Sequence, residues 1–264
     1  MSKLKEAFES LKLDWTSLAI ILEGGGGQSY EGFEISPIDF LQYAKEDLKD
    51  DPDDERNMIN SLSNSKRAID CQIDEMFMRI GVNYTKLPKS LETYTNLFVF
   101  KTDLAYKLRV VSALNLAPVN LLSKYRNLRN KLEHFYKLPS TENVHDAIDI
   151  ADLFIRCIEG KLDKLDTEFY ITDKKNQIDD SDSHEAYKNG ISFMFEIGRF
   201  YYWVNLNENK SERQELLPDD PLYFAMLRIM YSLGEFYTLV EAMEKISTLI
   251  GNPIPVKDIN LSSY

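Results

Sequence analysis

Leu121-Leu-Ser-Lys-Tyr-Arg-Asn-Leu-Arg-Asn-Lys-Leu-Glu-His-Phe135 carries apolar side chains at Leu121, Tyr125, Leu128, Leu132 and Phe135, at successive spacings of 4, 3, 4 and 3. Only a 3.6-residue period puts all five on one side of the chain, so the spacing predicts an α-helix that Pro118 opens and that runs through Tyr136. The same rhythm recurs on both sides of it. Upstream, Ser36-Pro37-x-Asp39 reads as a capped helix start, followed by an apolar stripe of Ile38, Leu41, Ala44 and Leu48. The run Asp50-Asp-Pro-Asp-Asp-Glu55 breaks that helix. A second helix then runs from about Asp54 to Ile80 on Ile59, Leu62, Ile69, Ile73, Met76 and Ile80, and Gly81 stops it. Residues 89 to 114 give a third helical region, interrupted near Phe98 to Lys101, with Leu104, Leu108 and Val111 as its later stripe. Downstream, Ser140 caps a fifth helix to about Leu162 on Val144, Ile148, Ala151, Ile155 and Ile158. Short connections between such stripes predict a mainly α fold, an antiparallel helical bundle over residues 36–162.

The flanks read differently. In residues 1–35 a short helical pattern (Leu4, Phe8, Leu11) leads into Leu18-Ala-Ile-Ile-Leu22 and four glycines, Gly24 to Gly27. No Gly-Lys-Ser/Thr follows them, so a turn between short extended segments is preferred to a phosphate loop. After residue 163 the chain gains β character. Thr167 to Thr172 reads as a strand, and the aromatic run Ile191 to Val204 turns or bulges at Gly198. Asp219-Asp-Pro221 then opens a single long helix to about Ile250. Residues 163–264 are therefore expected to form a smaller α+β unit beside the bundle, and residues 1–35 an N-terminal extension.

Composition narrows the function classes. The 264 residues are 44% hydrophobic and 28% charged, which suits a packed globular chain and excludes a disordered one. No apolar run approaches the ~18 residues of a membrane span. The start, Met1-Ser-Lys-Leu-Lys-Glu6, lacks a signal core, and two cysteines, Cys71 and Cys157, make no disulfide framework. A cytoplasmic location is the expectation. The net charge of −12 argues against a general nucleic-acid coat. Residues 101 to 137 reverse it locally, with eight basic against two acidic side chains, a net of +6 where a phosphate would be drawn. Charged helix faces that are merely solvated give the same count.

The predicted fourth helix sorts Arg126, Asn130 and His134 onto one polar stripe and Arg129, Glu133 and Tyr136 onto another. These residue types suit metal-free RNA cleavage. A histidine of near-neutral pKa can take the proton of a ribose 2′-OH or return one to the leaving 5′-oxygen. An arginine can hold the phosphate through two parallel hydrogen bonds and offset the charge of a pentavalent transition state. One histidine supplies an acid or a base, so a second copy across a two-fold axis would complete the set. The three histidines (His134, His145, His184) have no zinc-ligand spacing, and no metal or cofactor is called for.

Arg129-Asn130-x-x-x-His134-x-Tyr136 resembles the Arg-x4-6-His signature of the HEPN superfamily, the higher eukaryotes and prokaryotes nucleotide-binding domains. Phe40 to Asp47 and Leu62 to Gln72 also resemble bacterial members, so the likeness covers about residues 36–162. It implies a helical bundle that pairs as a homodimer, a composite cleft, and metal-independent endoribonuclease activity in a toxin or anti-phage effector. Arg129 and His134 would then be catalytic and Asn130 orienting, while Arg126, Lys124 and Lys131 would bind the RNA backbone. The tyrosine two residues after the histidine resembles that of toxins silenced by a nucleotidyltransferase partner, which makes Tyr136 a modification candidate. On the residues alone, Tyr136 is equally a helix-end aromatic packed on the next helix. Asp70 and Asp74, one turn apart, are placed to hold Arg126 or Arg129, and Arg67 to join the cleft. Two alternatives stay open: a catalytically silent HEPN module that binds nucleotide or a protein partner, and an interaction protein working through the aromatics Phe193, Phe195, Phe200, Tyr201, Tyr202 and Trp203.

Overall fold

Ser36 and Asp39 cap one another. The Asp39 amide donates to Ser36 Oγ at 3.2 Å, and the Asp39 carboxylate accepts from the Ser36 amide at 2.8 Å. This reciprocal pair starts a helix in the computed structural model, which describes residues 3–25, 30–50, 54–100, 104–119, 122, 135–177, 187–207 and 209–263. The helices are α1 (Lys3–Leu11), α2 (Pro37–Asp50), α3 (Glu55–Arg79), α4 (Lys89–Thr95), α5 (Tyr106–Ala113), α6 (Thr141–Leu162), α7 (Pro221–Ser232) and α8 (Phe236–Leu249). On α2 the buried stripe is Pro37, Leu41, Ala44 and Leu48, while Ile38 is 56% exposed, so the stripe begins one residue before the expected position. Asp54 caps α3 by accepting from the Arg56 and Asn57 amides, and Ser140 caps α6 through the Asn143 amide. The α3 stripe starts at Met58 rather than Ile59, and all five expected core residues of α6 are buried. Ser61 Oγ donates to the Ala44 carbonyl at 2.7 Å, which pins α2 to α3, and α6 packs on both.

The third helical region contains two helices, α4 and α5, and the described residues between them, 96–100 and 104–105, belong to neither. The predicted fourth helix, 118–136, lies almost wholly outside the described residues. Of its expected core stripe only Phe135 is described, and it is corrected: it is 68% exposed rather than packed, while Leu122, which lies off that stripe, is buried.

The expected fold class, a mainly helical bundle with a small β unit, is corrected by the sheet. The chain is an α+β mixture with a substantial sheet, which among the described residues has seven strands: β1 (Leu18–Gly25), β2 (Thr167–Asp173), β3 (Gly190–Glu196), β4 (Arg199–Leu206), β5 (Asn209–Lys210), β6 (Gln214–Leu216) and β7 (Leu261–Ser263). Its order is β5-β4-β3-β2-β1-β7, with β6 also on β4. β1 runs antiparallel to β2, with Ile20 opposite Ile171, and parallel to β7. Leu18, Ala19 and Ile20 are all buried, as a strand covered on both faces requires. That continuous apolar run is an inner strand, and its antiparallel partner lies about 150 residues further along the chain.

On β2, β3 and β4 the inward side chains form an aromatic layer. Phe169 stacks on Phe193 with ring centroids 5.0 Å apart, and Phe200 meets Tyr223 of α7 edge-on at 5.4 Å. Gly198, with φ +84°, turns β3 into β4 and lies against Gly81 at the end of α3. Tyr223 Oη donates to the Ile80 carbonyl at 2.7 Å, so the sheet layer and α3 share one core.

The expected single last helix is also corrected. α7 stops at Ser232, Gly234 takes φ +84°, and α8 begins at Phe236. Every residue of α7 from Leu222 to Ser232 is buried. Arg228, 3% exposed, donates from Nη1 to the Ala113 carbonyl and from Nη2 to Glu241 of α8, and it stacks over Phe98 at 4.8 Å. It joins the end of α5 to both C-terminal helices.

Candidate functional site

Lys124, Arg126, Arg129, Asn130, Lys131 and His134 all fall outside the described residues. The structure does place what flanks them. Val119 and Leu122 are buried on the entry side, so that end of the segment is rooted in the core. On the exit side Phe135, Tyr136, Lys137 and Leu138 are exposed, Pro139 is buried, and Ser140 begins α6. Tyr136 is 89% exposed with φ +52°, a left-handed conformation that costs a tyrosine about 1–2 kcal/mol. It does not pack on α6, and its hydroxyl is open to solvent or to a partner.

The acidic residues expected to hold Arg126 or Arg129 have other partners among the described residues. Asp70 pairs with Lys66 at 3.2 Å, one turn away on α3, and Asp74 pairs with Lys107 of α5. Lys107 also lies 5.6 Å from the Tyr84 ring centroid and 5.9 Å from that of Phe77. Arg67 donates to Asn64 on its own helix at 3.0 Å. Lys66, Asp70, Asp74 and Lys107 rim a groove of about 500 Å³ between α3 and α5. Ile69, Ile73, Leu108 and Leu122 form its apolar wall, so it lies directly beside the root of the motif segment. Tyr106, also on its wall, has its phenol pushed up by burial. The sequence signal for this groove was the Asp70/Asp74 spacing; the cation that answers Asp74 comes from another helix.

A second ionisable cluster has no sequence motif. It gathers Tyr30, Cys71, Glu75 and Arg79 with Glu159 of α6. Arg79 pairs with Glu159 at 2.8 Å, and Gln72 donates to the other Glu159 oxygen at 2.6 Å. Glu75 has its proton affinity raised, first by burial and then by the neighbouring Glu159 charge. Burial also pushes the Cys71 thiol up to about 11, which makes it inert as a nucleophile at neutral pH.

Cys71 and Cys157 are both free and half-buried on α3 and α6. No group of three or more His, Cys, Asp or Glu among the described residues is arranged to hold a metal ion. No helix among them is long and apolar enough to cross a membrane. The aromatics weighed as a working surface mostly face inward: Phe193, Phe195, Phe200, Tyr201 and Tyr202 are buried. Lys210 lies 4.0 Å from the half-buried Trp203 ring and Arg213 lies 4.1 Å from that of Tyr201, covering what remains. No family model matches the chain, and no curated protein or solved structure matches it.

Proposed function

We propose that the protein is a metal-independent endoribonuclease of the HEPN type, working as a homodimer in toxin or defence roles. The observation that carries the reading is the motif Arg129-Asn130-x-x-x-His134-x-Tyr136 inside a +6 segment of a −12 chain. The packing of α2, α3 and α6, with caps at Ser36, Asp54 and Ser140, supports it. The exposure of Phe135 through Leu138, the residues that directly follow His134 in sequence, supports it too, because a long polymer can reach them.

In the proposed reaction His134 of one copy takes the 2′-OH proton. The 2′-oxygen attacks phosphorus, the bond to the 5′-oxygen breaks, and the second copy's His134 returns a proton to that oxygen. The products are a 2′,3′-cyclic phosphate and a 5′-hydroxyl, and no metal or oxidant enters the balance. Arg129 offsets the charge gathered on the equatorial oxygens, and Asn130 orients the phosphate or the imidazole. Arg126, Lys124 and Lys131 hold the backbone on either side, each contact adding to the salt dependence of binding. Tyr136 is the position where a nucleotidyltransferase partner would silence the enzyme.

The test is purified protein with total RNA in EDTA. Cleavage by the wild type is expected to fall by about 10²–10⁴ in His134→Ala, and to be lost as well in Arg129→Ala. Melting temperatures should stay nearly unchanged, because helical spacing puts Arg129 and His134 off the apolar stripe. Intact RNA with wild type, or a large thermal shift in His134→Ala, overturns the assignment.

A further inference from the structure

Residues 30–35 link β1 to α2 without helix or strand of their own and lie across one face of α3. The side chains beneath them, Cys71, Glu75 and Arg79, are spaced one turn apart and form a single stripe. The Arg79 guanidinium lies 5.7 Å from the centre of the Tyr30 ring. Gly32 lies over the Glu75 carboxyl, where a β-carbon would stand in ordinary contact, 3.6 Å, with Oε1. Cys71 Sγ lies 3.6 Å from the Ile35 carbonyl. Phe33 meets Tyr84 edge-on with centroids 5.6 Å apart. The segment is thus fastened at its start, middle and end.

Beneath the segment two polar atoms are enclosed without a hydrogen-bond partner, Glu75 Oε2 and Tyr30 Oη. An ionised carboxylate with one bare oxygen under such a cover gains by reaching water, whereas a neutral carboxyl loses far less by staying dry. Arg79 cannot serve as a full counter-charge, since it is engaged with Glu159. We propose that the 30–35 segment is a pH-governed strap, seated on α3 while Glu75 is protonated and released when that carboxyl ionises.

The surrounding charges fit this assignment. On the strap, Tyr30 is pushed up to about 12 by burial and stays neutral, and Glu31 and Glu34 are exposed. From α2, Asp39 is occupied by the Ser36 cap. On α3, Cys71 stays a neutral thiol and Asp74 is paired with Lys107. From α6, Glu159 adds a negative charge that favours the protonated form of Glu75, and Arg79 opposes it. Because the seated state binds the Glu75 proton more tightly than the released state, seating is complete in acid. It weakens as pH rises from the ordinary carboxylate range through the raised value.

Chymotryptic cleavage after Tyr30 and Phe33 reads the strap directly. The rate on the whole protein is divided by the rate on a free peptide of residues 28–37 at each pH, which removes the protease's own pH dependence. The ratio is expected to rise in the wild type as pH climbs from the ordinary carboxylate range through the raised Glu75 value, by about tenfold for each unit by which seating raises the pKa, and to level off above it. In Glu75→Gln it should stay low and flat. In Glu159→Gln, where a negative neighbour is gone and Arg79 is freed, the rise should move to lower pH. A flat wild-type ratio, or an unshifted rise in both variants, overturns the proposal.

Discussion

Replacing Gly81 by alanine tests the joint between the helices and the sheet. Two costs add at this position. Its φ of +69° is a left-handed conformation that costs an alanine about 1–2 kcal/mol. An alanine β-carbon would also overlap the backbone of Gly198 in the β3–β4 turn, and backbone cannot rotate away as a long side chain can. Forcing such an overlap typically costs about 1–3 kcal/mol more. Gly81→Ala should therefore destabilise by about 2–5 kcal/mol, enough to remove much of a typical domain's stability. Two other glycines separate the terms. Gly234 has φ +84° with nothing within 4 Å of a β-carbon, so Gly234→Ala carries only the conformational cost. Gly160 lies inside α6 with open space around it, so Gly160→Ala should stabilise by about 0.5–1 kcal/mol. Urea unfolding followed by far-UV circular dichroism gives all three. If Gly81→Ala costs no more than Gly234→Ala, the close approach of α3 to the β3–β4 turn is wrong, and with it the single core.

Arg228→Met should cost about 2–4 kcal/mol in the same assay, because it strands the Ala113 carbonyl in the core and removes the donor to Glu241. Glu241→Gln should cost less, since its amide oxygen can still accept from Arg228 Nη2 and the Ala113 carbonyl keeps its donor; equal losses would refute the asymmetry. Ser140→Ala should cost about 1 kcal/mol through the lost α6 cap, whereas a change near zero would mean the Asn143 amide finds another acceptor. The Asp39 carboxyl is held below its usual range by the Ser36 side chain and amide. It therefore binds its proton less tightly folded than unfolded, and its contribution is present above the ordinary carboxylate pKa and lost as pH falls. Stability measured from pH 7 down to pH 3 should fall less steeply in Asp39→Asn than in wild type; parallel curves would contradict this.

What the sequence disclosed was local. The caps at Ser36 and Ser140 need only the next three residues, and each is where the pattern put it; Asp54, read from the sequence only as the approximate helix start, proves to cap α3. The α2 stripe slipped by one because Pro37, a poor hydrophobic marker, is the residue that packs, leaving Ile38 outside. Leu18 to Leu22 is the costlier case. A five-residue apolar run fits a buried strand or a helix fragment, and its pairing with Thr167–Asp173 is a contact between distant parts of the chain that no local pattern carries. Treating it as part of an extension made the sheet look small. The run from Pro221 to Ile250 is helical on both sides of Gly234, so one residue in left-handed geometry divides what periodicity joins. At the candidate site, helical spacing puts Asp70 and Asp74 one turn apart, but Lys107 answers Asp74 from α5, a contact equally invisible to that spacing. The Tyr30, Glu75 and Glu159 cluster assembles from three separate segments and had no motif to betray it.

The sharpest question concerns the nucleophile in the proposed cleavage. Once a cut site is mapped on a synthetic RNA, the same oligonucleotide is made with a single 2′-deoxy residue on the 5′ side of that site and incubated with the wild type in EDTA. If the ribose hydroxyl attacks, cutting at that position stops, while neighbouring sites still yield 2′,3′-cyclic phosphate and 5′-hydroxyl ends. Persistent cutting at the deoxy position, leaving 5′-phosphate and 3′-hydroxyl ends, would contradict the roles given to His134 and Arg129.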